Sequence, residues 1–251
     1  MPFEITADTK VTDEVLDKIA RMPTQEIAGK VDPTFMKNLT DAQFMRMAVL
    51  LAQKGYDEGG CPIGGVIIDN DTRQIMGKGH NTLMQEGDPT THGETAATQD
   101  AGRVALLQGK KFVNFDNATM FTTLTPCDVC CAQLVYRTRP ARVVIGDVTN
   151  APSSAPIIEA GKIKVDVLED PKGVELYKRY SEQHPDKHYS DWLGNGFWEK
   201  IKDRSPDDRL TAAVKETSDR RQAQAALFSP ALSRRIGPGS GESRRTAGGS
   251  L

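Results

Sequence analysis

The chain has no long apolar run and no excess of charge of one sign. No stretch approaches the roughly 20 apolar residues that a helix needs to cross a bilayer, and residues 1–5 carry neither a basic flank nor an apolar segment. The formal net charge is −2, with acidic and basic residues interspersed over the central region. These absences argue against a membrane protein and against nucleic acid as the expected partner. They predict a soluble protein of the cytoplasm, with the nucleus as a second compartment.

Cysteine is also scarce, since the chain has only four, Cys61, Cys127, Cys130 and Cys131. Three of them fall within five consecutive positions, unlike the spaced cysteines of a disulfide framework. In a reducing compartment such clustering first indicates metal binding. Cys61 and Cys131 are interpreted as packed core residues, with the wall of a ligand pocket as the alternative for Cys61.

Composition divides the chain into three segments. Apolar residues make up 38% and charged residues 26%, which is polar for a compact domain and indicates that part of the chain adds little to a core. We expect an N-terminal extension packed on the surface over residues 1–38, where prolines and a glycine break a weak helical pattern. A folded domain is expected over 39–201. Residues 202–251 have few large apolar side chains, so we predict a disordered, locally basic tail.

The middle segment alternates helical and strand patterns. Thr40 and Gln43 form a capping-box pair at the start of a helix of about four turns. The predicted elements that follow are a hairpin of strands 65–68 and 74–77, a helix over 95–107, a strand over 118–122, a helix from about 127, strands over 142–145 and 162–168, and a helix over 174–181. Such alternation favours a three-layer α/β domain.

Two short motifs each begin a predicted helix. His92-Gly93-Glu94 opens the first, and Pro126-Cys127-Asp128-Val129-Cys130 opens the second. In this order, H-x-E followed by P-C-x-x-C resembles the signature of zinc-dependent deaminases. Alone, a C-x-x-C is equally compatible with structural zinc or a redox pair, and an H-x-E is commonplace. The prediction therefore depends on the two motifs together.

The residue types suit a catalytic zinc ion. Cys127 and Cys130 are three apart, so a helix places both sulfurs on one face, and its N-terminus favours thiolates. With the imidazole of His92 they fill three positions of a tetrahedral zinc and leave the fourth for water. Because the two thiolates cancel the charge of the metal, that water needs a nearby base. Glu94 is the predicted base, and then the acid, of the reaction.

Longer stretches extend the pattern between about residues 55 and 144. They read Gly-Tyr-Asp-Glu-Gly-Gly-Cys-Pro-Ile-Gly-Gly, Gly-Lys-Gly-His-Asn, Thr-His-Gly-Glu-Thr and Phe-Thr-Thr-Leu-Thr-Pro-Cys-Asp-Val-Cys. In this order they resemble the fungal cytosine deaminase family, with a weaker similarity at Asp191-Trp192. The resemblance implies a homodimer built on a three-layer α/β/α sandwich around a mixed sheet of about five strands. It also implies one zinc ion per subunit and a role in pyrimidine salvage.

The resemblance also assigns roles to single residues. Zinc ligands of the family match His92, Cys127 and Cys130, and its proton shuttle matches Glu94. For the substrate, Asn81 matches a side chain that hydrogen-bonds the carbonyl edge of the pyrimidine, Ile63 matches a pocket wall, and Trp192 matches an aromatic residue near the C-terminal end.

Two positions depart from that family. By ungapped counting, Asn150 stands where the family has an aromatic residue over the base, and Asn195 stands where it has a carboxylate. Loss of an aromatic face removes about 1 to 3 kcal/mol of stacking, and an amide changes which ring edge fits. Phe197 or Trp198 is the candidate replacement for the ring. The expected substrate is therefore a small amino-substituted nitrogen heterocycle, with cytosine or a related free base first.

Two other functions fit the same motifs. A deaminase of adenosine in transfer RNA shares the zinc signature but needs a basic face for phosphates, and the basic cluster here lies in the predicted tail. A zinc-stabilised binding protein without turnover is the second alternative, against which the presence of Glu94 argues.

Overall fold

The short β-branched stretches in the middle of the chain form the strands of one sheet. The computed structural model describes residues 3–151 and 155–227. Its strands are β1 (Gly64–Asp69), β2 (Ile75–His80), β3 (Ala118–Thr122), β4 (Arg142–Ile145) and β5 (Lys164–Val167). They lie in the order β2-β1-β3-β4-β5. Strand β1 is antiparallel to both β2 and β3, whereas β3, β4 and β5 are parallel. The sheet is therefore mixed and five-stranded, as expected.

Helices precede, connect and follow the strands. In chain order they are α1 (Asp13–Arg21), α2 (Thr24–Lys30), α3 (Pro33–Asn38), α4 (Asp41–Asp57), α5 (Leu83–Glu86), α6 (Gly93–Leu107), α7 (Asp128–Gln133), α8 (Ala155–Ala160), α9 (Pro171–Gln183), α10 (Pro185–Leu193), α11 (Asn195–Ile201) and α12 (Pro206–Leu227). A π-helical turn, Leu134–Thr138, continues α7. The capping box at Thr40 is confirmed, because both of its reciprocal hydrogen bonds with Gln43 are present. Among the described residues no helix is long and apolar enough to cross a membrane.

Alternate strand residues enter two separate apolar layers. On one face Val66 and Ile68 of β1 pack in a cluster with Phe44 of α4. On the other face Ile67 packs in a cluster with Ala97 of α6. Because successive strand side chains point to opposite faces, helices cover both sides of the sheet. The three-layer α/β/α architecture is thereby confirmed.

Glycines on the sheet allow α6 to approach it closely. A Cβ atom on Gly77 of β2 would lie 2.4 Å from the carbonyl oxygen of Ala97, and one on Gly65 of β1 would lie 2.8 Å from that of Gly93. Both separations are far below van der Waals contact, so any side chain at these positions displaces the helix. The start of α6 is thereby held directly over β1.

The N-terminal segment is built differently from the expected surface extension. Helices α1, α2 and α3 contribute Ile19, Ile27 and Met36, respectively, to the same buried cluster that contains Phe44. The proline at position 33 does not break a helix but begins one, at the first helical position behind the capping side chain of Asp32, where the missing N–H is not needed. Short helices with one or two apolar positions each give a weak periodic signal, although together they complete the core.

The C-terminal segment also departs from the prediction. The chain divides into two units, Met1–Lys200 and Ile201–Leu251, and the second contains the 22-residue helix α12. Ser205 caps the helix by accepting from the backbone N–H of Asp208, and ion pairs one turn apart join Glu216 to Arg220. Such local interactions support a helix that has few apolar residues. The predicted disorder of residues 228–251 lies outside the described residues.

Candidate functional site

The first motif stands where α6 begins. His92 is the N-cap residue of α6, with extended backbone, and Glu94 lies in the first turn of that helix. Glu94 is only 3% exposed. The close approach of Gly93 to β1 therefore places both functional side chains at the end of the sheet, with the imidazole at the rim and the carboxylate inside.

The second motif stands where α7 begins, directly after the loop that follows β3. Cys127 is the N-cap residue of α7, and its sulfur accepts the backbone N–H of Cys130 at 3.5 Å. Cys130 is buried in the first turn of the helix. As the spacing predicts, both sulfurs face the same side of the helix.

The two motifs meet around one point. The Nδ1 atom of His92 lies 3.5 Å from the Sγ atom of Cys127 and 3.5 Å from that of Cys130, and the three candidate ligand atoms lie within 4.8 Å of one another. Zinc–sulfur bonds of about 2.3 Å and zinc–nitrogen bonds of about 2.0 Å at the tetrahedral angle separate nitrogen from sulfur by about 3.5 Å. The donor types and their spacing therefore fit a zinc ion.

The two thiols differ strongly in acidity. A hydrogen bond from the Cys130 thiol and the nearby imidazole of His92 outweigh burial and lower the pKa of Cys127 to about 4. The same hydrogen bond, together with burial and the neighbouring carboxylate of Glu94, raises the pKa of Cys130 well above its usual range. One sulfur is thus a thiolate at neutral pH, and the proton on the other must leave when both bind a metal ion.

Glu94 is held beside the sulfurs. Its Oε1 atom accepts a hydrogen bond from the hydroxyl of Thr122 at 3.2 Å, and its Oε2 atom lies 3.4 Å from the Sγ atom of Cys130. Burial, followed by the negative charge of Cys127, raises the pKa of this carboxyl group. A carboxylate whose proton affinity is raised is suited to accept and return a proton near neutral pH.

Comparisons with known proteins agree with this geometry. Residues 39–147 match the family model of the cytidine and deoxycytidylate deaminase zinc-binding region. The cytosine deaminase of Candida albicans is 33% identical over 153 residues, which are 61% of this chain and 93% of that protein. This chain belongs to the zinc-binding cytidine and deoxycytidylate deaminase family.

Other similar proteins carry the names of deaminases with different substrates. A tRNA-specific adenosine deaminase of Haemophilus influenzae is 32% identical over 116 residues, which are 46% of this chain and 63% of that protein. The solved guanine deaminase of Bacillus subtilis is 29% identical, with a TM-score of 0.38 over 50% of this chain and 72% of that one.

Asp191 belongs to the site of this deaminase although the sequence assigned it no role. Its Oδ1 atom lies 3.6 Å from the Nε2 atom of His92, and its side chain is 7% exposed. Burial raises the pKa of this carboxyl group. The predicted position, Asn195, lies at the start of the next helix, α11, after the break at Gly194, and its side chain lies outside the described residues. The acidic side chain of Asp191, shortly before Asn195 in the chain, was the signal that the sequence offered.

The structure brings two of the predicted substrate residues towards the metal ligands. Asn81 is fully buried, accepts the backbone N–H of Leu83 at 3.0 Å and donates to Asp191 at 3.2 Å. Ile63 lies in a buried cluster with Cys61, and its carbonyl carbon and oxygen approach Gly93, next to His92. The amide and the apolar wall thus lie beside the predicted centre.

The aromatic residues of the C-terminal part form a stack. Trp192 is stacked on Tyr189, with ring centres 6.2 Å apart and planes at 15°, and Tyr189 is stacked on Trp198, at 6.2 Å and 9°. Phe197 is buried. Trp192 follows Asp191 directly in α10, so the stack begins next to a residue that contacts His92.

Asn150 is engaged inside the protein. Its amide nitrogen donates to the carboxylate of Asp147 at 2.6 Å and to the backbone carbonyl of Val174 at 3.2 Å. Both amide protons are therefore used to hold the loop after β4 against α9. This position stabilises the loop, and the structure gives it no free donor for a ring edge.

A buried hydrogen bond ties α10, the helix that carries Asp191, to α9. The hydroxyl of Tyr177 lies 3.0 Å from the Nδ1 atom of His188. Burial lowers the pKa of His188 from 6.5 to about 4. The neutral imidazole is therefore part of the native packing beneath the site.

We expect acid to weaken the fold through His188. Because the unfolded chain binds this proton more readily than the folded one, stability is full above about pH 6.5 and falls as the pH drops towards 4. At pH 5 the loss is about 2 kcal/mol. The free energy of unfolding of the wild type and of His188→Gln is measured with urea at pH 7.5 and pH 5. The difference between the two proteins should be smaller at pH 5 by that amount. His184→Gln, at the junction of α9 and α10, controls for removal of an imidazole, and a gap that is constant with pH would contradict the expectation.

We further expect about one zinc ion per purified chain. Cys130→Ala should lose it, because two remaining donors hold zinc far more weakly than three. Elemental analysis after dialysis measures the content. Cys131→Ala is the matched control, since that neighbouring buried thiol donates instead to the carbonyl of Pro126. Equal zinc in both variants would show that Cys130 is not a ligand.

Proposed function

We propose that this protein is a zinc-dependent hydrolytic deaminase of a small amino-substituted nitrogen heterocycle, with cytosine as the first substrate. The observation that carries the proposal is the tetrahedral spacing of one imidazole nitrogen and two sulfurs, with a buried carboxylate beside them. The cytosine deaminase of Candida albicans, matched over 93% of its length, supports the choice of substrate.

Three of these residues bind the metal ion, and Glu94 transfers protons. His92, Cys127 and Cys130 would hold a zinc ion, which would supply Lewis acidity and make water nucleophilic near neutral pH. Glu94 takes a proton from the attacking water, whose oxygen bonds to the carbon that bears the amino group. It passes that proton to the ring nitrogen. It then takes the proton of the newly bonded hydroxyl group and passes it to the amine, so that a carbonyl group forms, the carbon–nitrogen bond breaks and ammonia leaves. Thr122 orients Glu94 for both transfers.

The pocket residues orient the ring. Asn81 keeps one amide proton for Asp191 and has a second to offer to a ring carbonyl. Ile63 supplies an apolar wall, and Trp192 with its stacked neighbours supplies an aromatic face in place of the family residue at position 150. Together these groups suit a flat, neutral ring with a carbonyl edge.

Glu94→Gln tests the reaction. The variant should keep its zinc, because Glu94 is not one of the three ligands, but kcat should fall by at least about 100-fold because proton transfer is lost. Ammonia release is measured on cytosine, 5-substituted cytosines, guanine, aminopterins and transfer RNA. The exposed Glu159→Gln is the control. Wild-type protein that is loaded with zinc and inactive on the whole panel would support a binding protein without turnover and sink the proposal.

Adenosine in transfer RNA is the second candidate substrate. The tRNA-specific adenosine deaminase of Haemophilus influenzae, at 32% identity, supports it, whereas the net charge of −2 does not. The tRNA arm of the panel, repeated on a chain ending at Lys202, distinguishes it. Activity on transfer RNA that is lost with the basic C-terminal segment would favour it over cytosine.

We also propose that the protein is a homodimer. Three large apolar side chains, Leu106 on α6, Val129 on α7 and Tyr136 on the π-helical turn, are 65%, 69% and 77% exposed, and such exposed apolar groups favour a protein partner. Sedimentation should give a mass of about twice the 27.4 kDa of one chain. The substitution Tyr136→Asp should lower this mass towards that of the monomer. Val167→Asp, at an exposed apolar position on β5, is the control. A monomeric wild type would exclude the dimer.

A further inference from the structure

The imidazole of His92 is contacted on both of its nitrogens. Its Nδ1 atom faces the sulfurs of Cys127 and Cys130, and its Nε2 atom faces the Oδ1 atom of Asp191 at 3.6 Å. A neutral imidazole offers a lone pair on one nitrogen and a proton on the other. An acceptor beside Nε2 therefore favours the tautomer whose lone pair on Nδ1 points at the sulfurs.

Asp191 is itself held by the fully buried amide of Asn81 and lies beside a second buried group, the thiol of Cys61. The amide of Asn81 donates to its Oδ1 atom at 3.2 Å, and the fully buried thiol of Cys61 lies close to the carboxylate. Asn81 is fixed in turn by the backbone N–H of Leu83. The carboxylate thus has little freedom to turn away from His92.

The helix that carries Asp191 is anchored at several points. The hydrogen bond between Tyr177 and His188 joins α10 to α9, and Lys187 donates to the backbone carbonyl of Gly59 at 2.8 Å. The latter contact ties α10 to the loop that leads to Cys61. The helix that carries Asp191 is therefore tied to the segment that carries Cys61.

We infer that Asp191 is a positioning residue of the metal centre, which orients His92 as a ligand and is itself oriented by Asn81 and by the thiol of Cys61. The inference rests on the proposed zinc site. It gives the buried thiol a function other than packing. Asp191 acts on the metal only through the imidazole, because it is not within the group of three ligand atoms.

The test measures metal binding and metal geometry separately from activity. Zinc affinity is determined by competition with a chromophoric chelator, and the visible spectrum of the cobalt(II)-loaded protein reports the arrangement of the ligands. Asp191→Ala should weaken zinc binding by about 10- to 100-fold, the range for loss of a residue that orients a metal-bound histidine, and should alter the cobalt bands. Asp191→Asn keeps a neutral hydrogen-bond acceptor, so its zinc affinity should fall less than that of Asp191→Ala.

A second pair of variants isolates the thiol. Cys61→Val removes the donor to Asp191, whereas Cys61→Ser keeps one, so zinc should bind more weakly to the first variant than to the second. Asp147→Asn is the control for loss of a buried carboxylate, because Asp147 is fully buried and bonds Thr149 and Asn150 instead of a ligand. It should lower the urea midpoint and leave zinc affinity and the cobalt bands unchanged.

The outcomes separate this inference from the proposed function. If the wild type binds no zinc, the proposed function fails and the inference with it. If the wild type binds zinc and both Asp191 variants bind it equally well with the same cobalt bands, only the inference is overturned. Should Asp191→Ala fail to fold, Asp191→Asn decides in the same way. Equal zinc affinity of Cys61→Val and Cys61→Ser would show that the thiol does not orient Asp191.

Discussion

The contact between the imidazole of His92 and the sulfurs of Cys127 and Cys130 is the constraint on which the site depends. It joins the starts of two helices, α6 and α7, that follow different strands of one sheet. The approach of α6 to the sheet is possible only because Gly65 and Gly77 carry no side chain. The metal chemistry is therefore a consequence of backbone packing between a helix and two strands.

The charges around this contact explain why a divalent cation belongs there. Four acidic groups, from Cys127, Cys130, Glu94 and Asp191, surround a single imidazole in a mostly buried space. Such a group is costly to bury when ionised unless a cation compensates it. The raised pKa values of Glu94 and Asp191 reflect that cost. A zinc ion would lower it and would leave Glu94 as the group that moves protons.

Support for the site extends well beyond the residues that touch it. The N-terminal helices complete the apolar layer on the opposite face of the sheet, and α9 and α10 bring Asp191 to His92 from a part of the chain about 100 residues away. Asn150, which by ungapped counting stands where the resembling family has an aromatic residue over the base, stabilises the loop after β4. The aromatic surface near the site comes from the stack on α10 and α11. The site is thus assembled from distant segments, each held by its own hydrogen bonds.

The sequence by itself determined the strands, the capping box at Thr40, the alternation that builds three layers, and the pairing of H-x-E with P-C-x-x-C. These features are local, because side-chain periodicity, helix capping and ligand spacing operate within a few residues. Only the tertiary structure decided that α1 to α3 belong to the core, that Asp191 faces His92, and that Cys61 lies close to that carboxylate. Each of these contacts joins residues far apart in the chain. Burial under a distant segment does not produce a periodic pattern in the local sequence, so it could not be predicted from that pattern.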